Sequence, residues 1–202
     1  MKKEGLLMSL LLLCCSATTK IPSSSGFDYP VGNINAQGEY TGNDNIVYNG
    51  WYIASTFMDK DYKKKRRSYH PGEDWNGTGG GNTDLGQPVY SVSEGVVVQT
   101  ITHSSWGGII KIKHRLPQQD ICSLYIHLND ILVNEGEDIE RRQQIATIGN
   151  ANGNYLAHLH FEIRDCLLPA YFWPGGNQLS KQIIDANYYP PSEFIEQHRT
   201  IQ

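Results

Sequence analysis

Two histidines one residue apart, His158 and His160, lie in the stretch AHLHFEIR, with Glu162 two residues further on. Read as a β-strand, the stretch turns Leu159, Phe161 and Ile163 to one face and His158, His160 and Glu162 to the other. Neighbours on one strand face sit roughly 6.5–7 Å apart. From that spacing two ring nitrogens can converge on a common site. A single strand histidine is more often structural, but two on one face beside a carboxylate shift the reading toward a site.

A second pair occurs earlier, in YHPGEDW. His70 and Asp74 are four residues apart, but Pro71 and Gly72 argue against a helix, so a loop or bent strand must present them. Taken alone, this spacing reads better as an exposed turn in which Asp74 caps and His70 is incidental. A third candidate is His127 in SLYIHLN. Alternation places it with Ser123 and Tyr125, while Leu124, Ile126 and Leu128 point inward. By itself that signal is weak.

The elements that must position these residues are short strands. The chain has 202 residues, a length suited to one domain with room for an arm, and 39% of them are hydrophobic. Val/Ile/Tyr-rich runs alternate with turns among its 20 glycines. Strand candidates cover 88–92, 95–102, 108–114, 121–127, 144–148 and 157–164, with another opening near Asn45. They predict an all-β fold, a sheet, sandwich or barrel. No long amphipathic helix is evident, and Pro191-Ser192 can open a short terminal one. The run Lys63-Lys64-Lys65-Arg66-Arg67 reads first as a solvated loop. The glycine-rich stretch 77–86 reads as a loop forming part of the groove wall. A net charge of -4 gives no basic footprint for nucleic acid.

The N-terminus reads as a leader. Lys2 and Lys3 precede an apolar run ending in Leu12-Leu13-Cys14-Cys15, too short to span a bilayer. The expected organisation is a signal peptide over 1–15, of lipoprotein type with Cys15 or Cys14 as acceptor, or else simply cleaved. A flexible arm or tether would follow over 16–44, and one domain over 45–202, with its motifs between 69 and 164. An extracytoplasmic location follows from such a leader and permits a disulfide between Cys122 and Cys166, although two inert buried thiols fit equally well.

Together HPGED, YIHL and HLHFE, in that order, resemble the lysostaphin-type zinc endopeptidases of bacterial cell walls, also called LytM-like. GQPVYSVSEGVV, WGGIIKIKH and EGEDIERRQQIATIGN resemble the family's connecting segments. One departure is Arg141-Arg142, where the family has Lys or Arg followed by Gly. The resemblance implies an antiparallel β-sheet or sandwich with an active-site groove. It also implies that His70, Asp74 and His160 ligate Zn2+, that His127 and His158 flank the open position as catalytic groups, and that the substrate is a peptidoglycan peptide. Three protein ligands leave a position for water, as catalytic zinc requires. Glu162 would orient a site histidine or form a surface salt bridge. His103, His114 and His198 match no site position. Relatives of this kind include non-catalytic regulators and wall-binding modules, so those readings stand as alternatives. No HExxH stretch points to another zinc hydrolase class.

Overall fold

Strands β1 (Val47–Tyr48), β2 (Trp51–Ser55), β3 (Glu73–Gly77), β4 (Pro88–Tyr90), β5 (Gly95–His103), β6 (Gly107–Arg115), β7 (Asp120–Ile131), β8 (Asp138–Ile139), β9 (Gln144–Ile148), β10 (Leu159–Arg164) and β11 (Tyr188–Tyr189) dominate the computed structural model. The helices are short: α1 (Lys60–Arg66), α2 (Gln178–Asn187) and α3 (Pro191–Gln197). Residues 21–32, 47–48 and 50–200 are described. The expected leader with Cys14 and Cys15, and the arm from 33 to 44, lie outside them. The strands pair antiparallel in the order β1-β2-β3-β10-β7-β6-β5-β8, with β11 on β10 and β9 joining β4 to β7. The expected all-β class is therefore observed. Among the described residues no helix is long and apolar enough to cross a membrane.

Both faces of the central strands are covered. On one face Tyr125, Ile110, Ile112, Leu159, Phe161 and Ile163 join the main core with Val89, Ile145 and Ile148 from the β4–β9 pair. On the other face Ile109, Cys122, Leu124 and Ile126 form a smaller cluster under Ala170. Expectation placed Leu124, Ile126 and Leu128 together, but Leu128 packs with Tyr125 in the main core. A register shift causes this: Gly108 pairs Leu128 while Ile109 pairs Ile126, so His127 is an extra residue, with φ 68°.

The segment after β10 covers the second face and is fastened there. A disulfide joins Cys122 to Cys166, with Cα atoms 5.0 Å apart. Buried Lys111 donates from Nζ to the carbonyls of Cys166 and Leu168, at 2.6 and 2.8 Å. Arg164, fully buried, donates to the carbonyls of Pro169 and Phe172. Helix α2 was not expected; Ile184 packs it against Tyr69 and Tyr188. The short helix α3 at Pro191 was expected and is present.

Two further expectations are corrected. The basic run is mostly helical, not a loop: Asp59 caps α1 by accepting from the backbone N–H groups of Asp61 and Tyr62. Its cations remain solvated. The arm is packed where it is described, because Phe27, Tyr29 and Val31 are buried in the main core. Arg142, at the family's glycine position, adopts φ 67° and donates to the carbonyls of Tyr29 and Gly32 at 2.7 and 3.3 Å. Arg141 beside it pairs with Asp28 at 2.7 Å. The departure from the family pattern thus clamps the arm.

Candidate metal centre

Register brings the site together. Asp74 of β3 lies opposite His160 of β10 and beside Ser55 of β2. Along β3, Trp75 enters the main core, so Asp74 and Asn76 face the groove. His70 arrives from the loop before β3, which crosses β10 at Gly72. A Cβ there would stand 2.3 Å from the Phe161 carbonyl oxygen, so only glycine permits the approach.

The ligand atoms of His70, Asp74 and His160 lie within 4.8 Å of one another. His70 Nε2 is 3.1 Å from His160 Nδ1 and 3.1 Å from Asp74 Oδ1, and His160 Nδ1 is 2.8 Å from that oxygen. The outer nitrogens are held elsewhere. His70 Nδ1 is 2.8 Å from the Thr56 carbonyl, an obligate acceptor, so that nitrogen donates and Nε2 keeps its lone pair. His160 Nε2 is 3.1 Å from Glu162 Oε1, which leaves Nδ1 facing the site. Glu162 is fully buried and also 3.3 Å from the Arg164 guanidinium, so the surface salt bridge considered for it does not occur.

His127 and His158 follow the same rule. His127 Nδ1 donates to the Trp106 carbonyl at 3.0 Å, and His158 Nδ1 to the Leu156 carbonyl at 2.8 Å. Their rings stand 4.7 Å apart, and His158 Nε2 is 3.8 Å from Asp74 Oδ1. Strict alternation would have sent His127 into the main core beside Tyr125. The extra residue in β7 turns it toward the groove instead.

Burial and charge set the protonation states. Burial would raise the Asp74 carboxyl, but His70 and His160 outweigh it and hold the group well below the usual carboxylate range. Burial alone would lower the His160 imidazole, yet hydrogen bonds to Asp74 and Glu162 raise it to about 9. Burial, then the neighbouring His158 and His160, push His127 down to about 3.

A cavity of about 290 Å³ opens on these groups, lined by Asp74, His127, His158 and His160 with Tyr62, Tyr155, Trp106 and Trp173 as aromatic walls. Tyr62 stacks on His70, and the Trp173 ring lies 5.4 Å from His160. None of the four aromatic residues stood out in the sequence, because no periodicity marks residues that meet only across loops. A larger groove of about 610 Å³ continues past α1 and the 154–156 turn. The 77–86 stretch does not line either cavity. Asn82 instead accepts from the Ala157 N–H at 2.8 Å and braces the turn that does. His114 is structural, buried between the Glu94 carbonyl and Ser123 Oγ.

The model of peptidase family M23 matches residues 68–172. The chain belongs to peptidase family M23. The peptidoglycan DD-endopeptidase ShyA of Vibrio cholerae is 33% identical over 115 residues, which are 56% of this chain and 25% of ShyA. The murein hydrolase activator NlpD of Salmonella typhimurium is 33% identical over 99 residues, 46% of this chain and 25% of NlpD. The chain thus spans about a quarter of these relatives' length. A zinc-containing peptidase from Vibrio cholerae has a similar structure, with TM-score 0.50 and 29% identity over 69% of this chain and 37% of that one. This M23 chain therefore shares its family with wall-cutting enzymes and with activators of such enzymes.

Proposed function

We propose that this M23 chain is a zinc-dependent endopeptidase that hydrolyses the peptide cross-links of bacterial peptidoglycan, with His70, Asp74 and His160 as metal ligands and His127 and His158 as catalytic groups. The observation that carries this reading is the convergence of acceptors. Each of the four imidazoles is tied through one nitrogen to a carbonyl or carboxylate and turns the other toward Asp74 or the cavity beside it. His70 Nε2, His160 Nδ1 and Asp74 Oδ1 meet at about 3 Å, so either a proton or a metal cation must lie among them, and metal binding displaces that proton. Two nitrogens and one carboxylate oxygen suit zinc, with room left for a further ligand.

When bound, zinc supplies Lewis acidity and an acidified water. The chain's own residues do the rest. Thr56 and Glu162 fix the His70 and His160 rings. His127, kept neutral by burial and donating from Nδ1 to Trp106, presents Nε2 as a hydrogen-bond acceptor that orients a reacting group, and His158 Nε2 stands across the same opening. The aromatic walls limit water around the scissile peptide. Peptidoglycan as substrate is supported by the name of the relative ShyA.

The second reading is a non-catalytic activator, favoured by the relative NlpD. The four converging imidazoles favour the endopeptidase reading over it. The test digests purified sacculi of a diamino-acid type and of a glycine-bridged type and counts freed amino groups. His127→Ala or His158→Ala should retain zinc and lose about 10²–10³ in rate. Zinc-loaded wild-type protein that frees no amino groups from either wall would overturn the endopeptidase reading and leave the activator reading in its place. Extracytoplasmic placement, through a lipid on Cys15 or Cys14 or by simple export, is part of the same proposal, and incorporation of labelled fatty acid checks the anchor.

A further inference from the structure

Helix α1 carries five cations, and one of them, Arg66, reaches the cavity over the candidate metal site. Arg66 lines both the 290 Å³ cavity over the imidazoles and the 610 Å³ groove that continues from it. In the smaller cavity it is the only lysine or arginine among the lining residues, and Asp74, already engaged by three imidazoles, is the only carboxylate. Among the described residues no carboxylate approaches the Arg66 guanidinium within 4.0 Å. Its recorded neighbour is the Tyr155 ring, 5.9 Å from the guanidinium carbon. That ring lies 5.1 Å from His127 and 6.0 Å from His158, so the guanidinium stands one aromatic ring away from both.

The neighbouring charges single out Arg66. Lys63 is taken up by Tyr69, with Nζ 2.5 Å from its hydroxyl and 3.9 Å from its ring centre. Asp59 caps the helix. Asp61 and Lys65 share a helix face four residues apart in the outer groove, so they offset one another there. The charge left facing the reaction end is positive.

We propose that Arg66 is a specificity-determining residue: its guanidinium receives a carboxylate that the substrate peptide carries beside the scissile bond. The inference rests on the endopeptidase reading and deepens it. A guanidinium offers a planar fork that matches a carboxylate in two parallel hydrogen bonds, whereas a carboxamide presents one acceptor and a competing donor. The aromatic wall of Tyr155 gives the guanidinium a surface to stack on while it does so. A wall peptide whose cross-linking residue keeps a free carboxylate fits this subsite, and one amidated at that position, or bridged by glycine alone, leaves it empty.

The test uses a pair of synthetic cross-linked peptides differing only in carboxylate or carboxamide next to the cross-link. Zinc-loaded wild-type protein and Arg66→Gln are compared with each peptide by calorimetric binding and by release of new amino groups. Wild type should bind the acid about tenfold more tightly than the amide. Arg66→Gln should lose that preference by weakening on the acid alone, with a raised KM and little change in kcat. Arg66→Lys should restore part of it. Should neither peptide be cut while the binding preference remains and depends on Arg66, the endopeptidase reading fails and the subsite stands. Equal affinity of wild type for both peptides, no binding of either, or a preference that persists in Arg66→Gln would overturn the subsite.

Discussion

Glu162→Gln isolates the role of the buried carboxylate behind the metal centre. Oε1 of Glu162 lies 3.1 Å from His160 Nε2, and Oε2 lies 3.3 Å from the Arg164 guanidinium, with both side chains fully buried. Glutamine keeps the volume but brings a donor against Arg164 if its oxygen stays on His160. If it flips, its NH2 meets His160, which must then turn its lone pair away from the site. Partners that orient metal-ligating histidines are worth 10–100-fold in metal affinity, or roughly 1.4–2.7 kcal/mol. Stability should fall too. Breaking a buried pair costs about 3–5 kcal/mol, and the carbonyls of Pro169 and Phe172 with the Tyr188 hydroxyl, which still hold Arg164, favour the lower end. Competition with a chromophoric chelator reads zinc affinity, and thermal melts with and without zinc read stability. Tyr188→Phe is the control, since it loosens Arg164 without touching His160. It should lower the melting temperature and leave zinc affinity alone. The reasoning is refuted if folded Glu162→Gln binds zinc within about twofold of wild type, or if Tyr188→Phe weakens zinc equally.

Three further outcomes follow from single observations. His114 is buried and depressed to about 4 from 6.5, so the unfolded chain binds more protons there between those values, and His114 contributes roughly 3 kcal/mol of stability that is lost as pH drops from 6.5 to 4; urea melts across that range should show a shallower slope in His114→Gln than in wild type, the remainder coming from His127, and an unchanged slope would refute the assignment. The Cys122–Cys166 bridge closes a separation of 44 residues, so Cys122→Ser with Cys166→Ser should lose up to about 4 kcal/mol in chemical denaturation, and no change would show that Lys111 and Arg164 hold the covering segment alone. Gly72→Ala should lower zinc affinity more than tenfold by lifting His70 from the Phe161 carbonyl, measurable by the same chelator competition; unchanged affinity would mean the loop can relax.

The parts of this molecule that repeat along the chain were legible, and those made by single exceptions were not. Alternation located β5, β6, β7, β9 and β10 to within a few residues, because a pleated strand must repeat every two positions. The candidate set of His70, Asp74, His127, His158 and His160 comes from the family resemblance that the order of the motifs carries, because spacing alone reads His70 and Asp74 as an exposed turn. Phe27, Tyr29 and Val31 also alternate, yet the surrounding Ser, Gly and Pro made the arm read as a tether. The lysine run hid a helix because its start signal is a single residue, Asp59, and nothing apolar marks a buried face. Trp106 and Trp173 meet at 5.7 Å in the wall of the cavity that opens on His160, from loops far apart in sequence. That contact depends on how a disulfide and two buried cations fold one segment over a sheet face, which no local pattern encodes.

The extra residue in β7 shows how one irregularity serves both proposed catalytic histidines. A strictly alternating strand can offer Tyr125 to the core and His127 to the same core, or neither. Inserting His127 at φ 68° lets Tyr125 and Leu128 share the core face while the imidazole turns to the groove. Such a conformation needs outside support, because it interrupts the ladder to β6. Gly149, just past β9, supplies it by donating its N–H to the His127 carbonyl at 2.8 Å. The same glycine accepts from the His158 N–H at 3.4 Å through its own carbonyl. A Cβ on residue 149 would stand 2.6 Å from the His127 oxygen and 2.7 Å from the Asn129 nitrogen, so no other residue fits between them. The backbone of one glycine therefore braces the main chain of both His127 and His158.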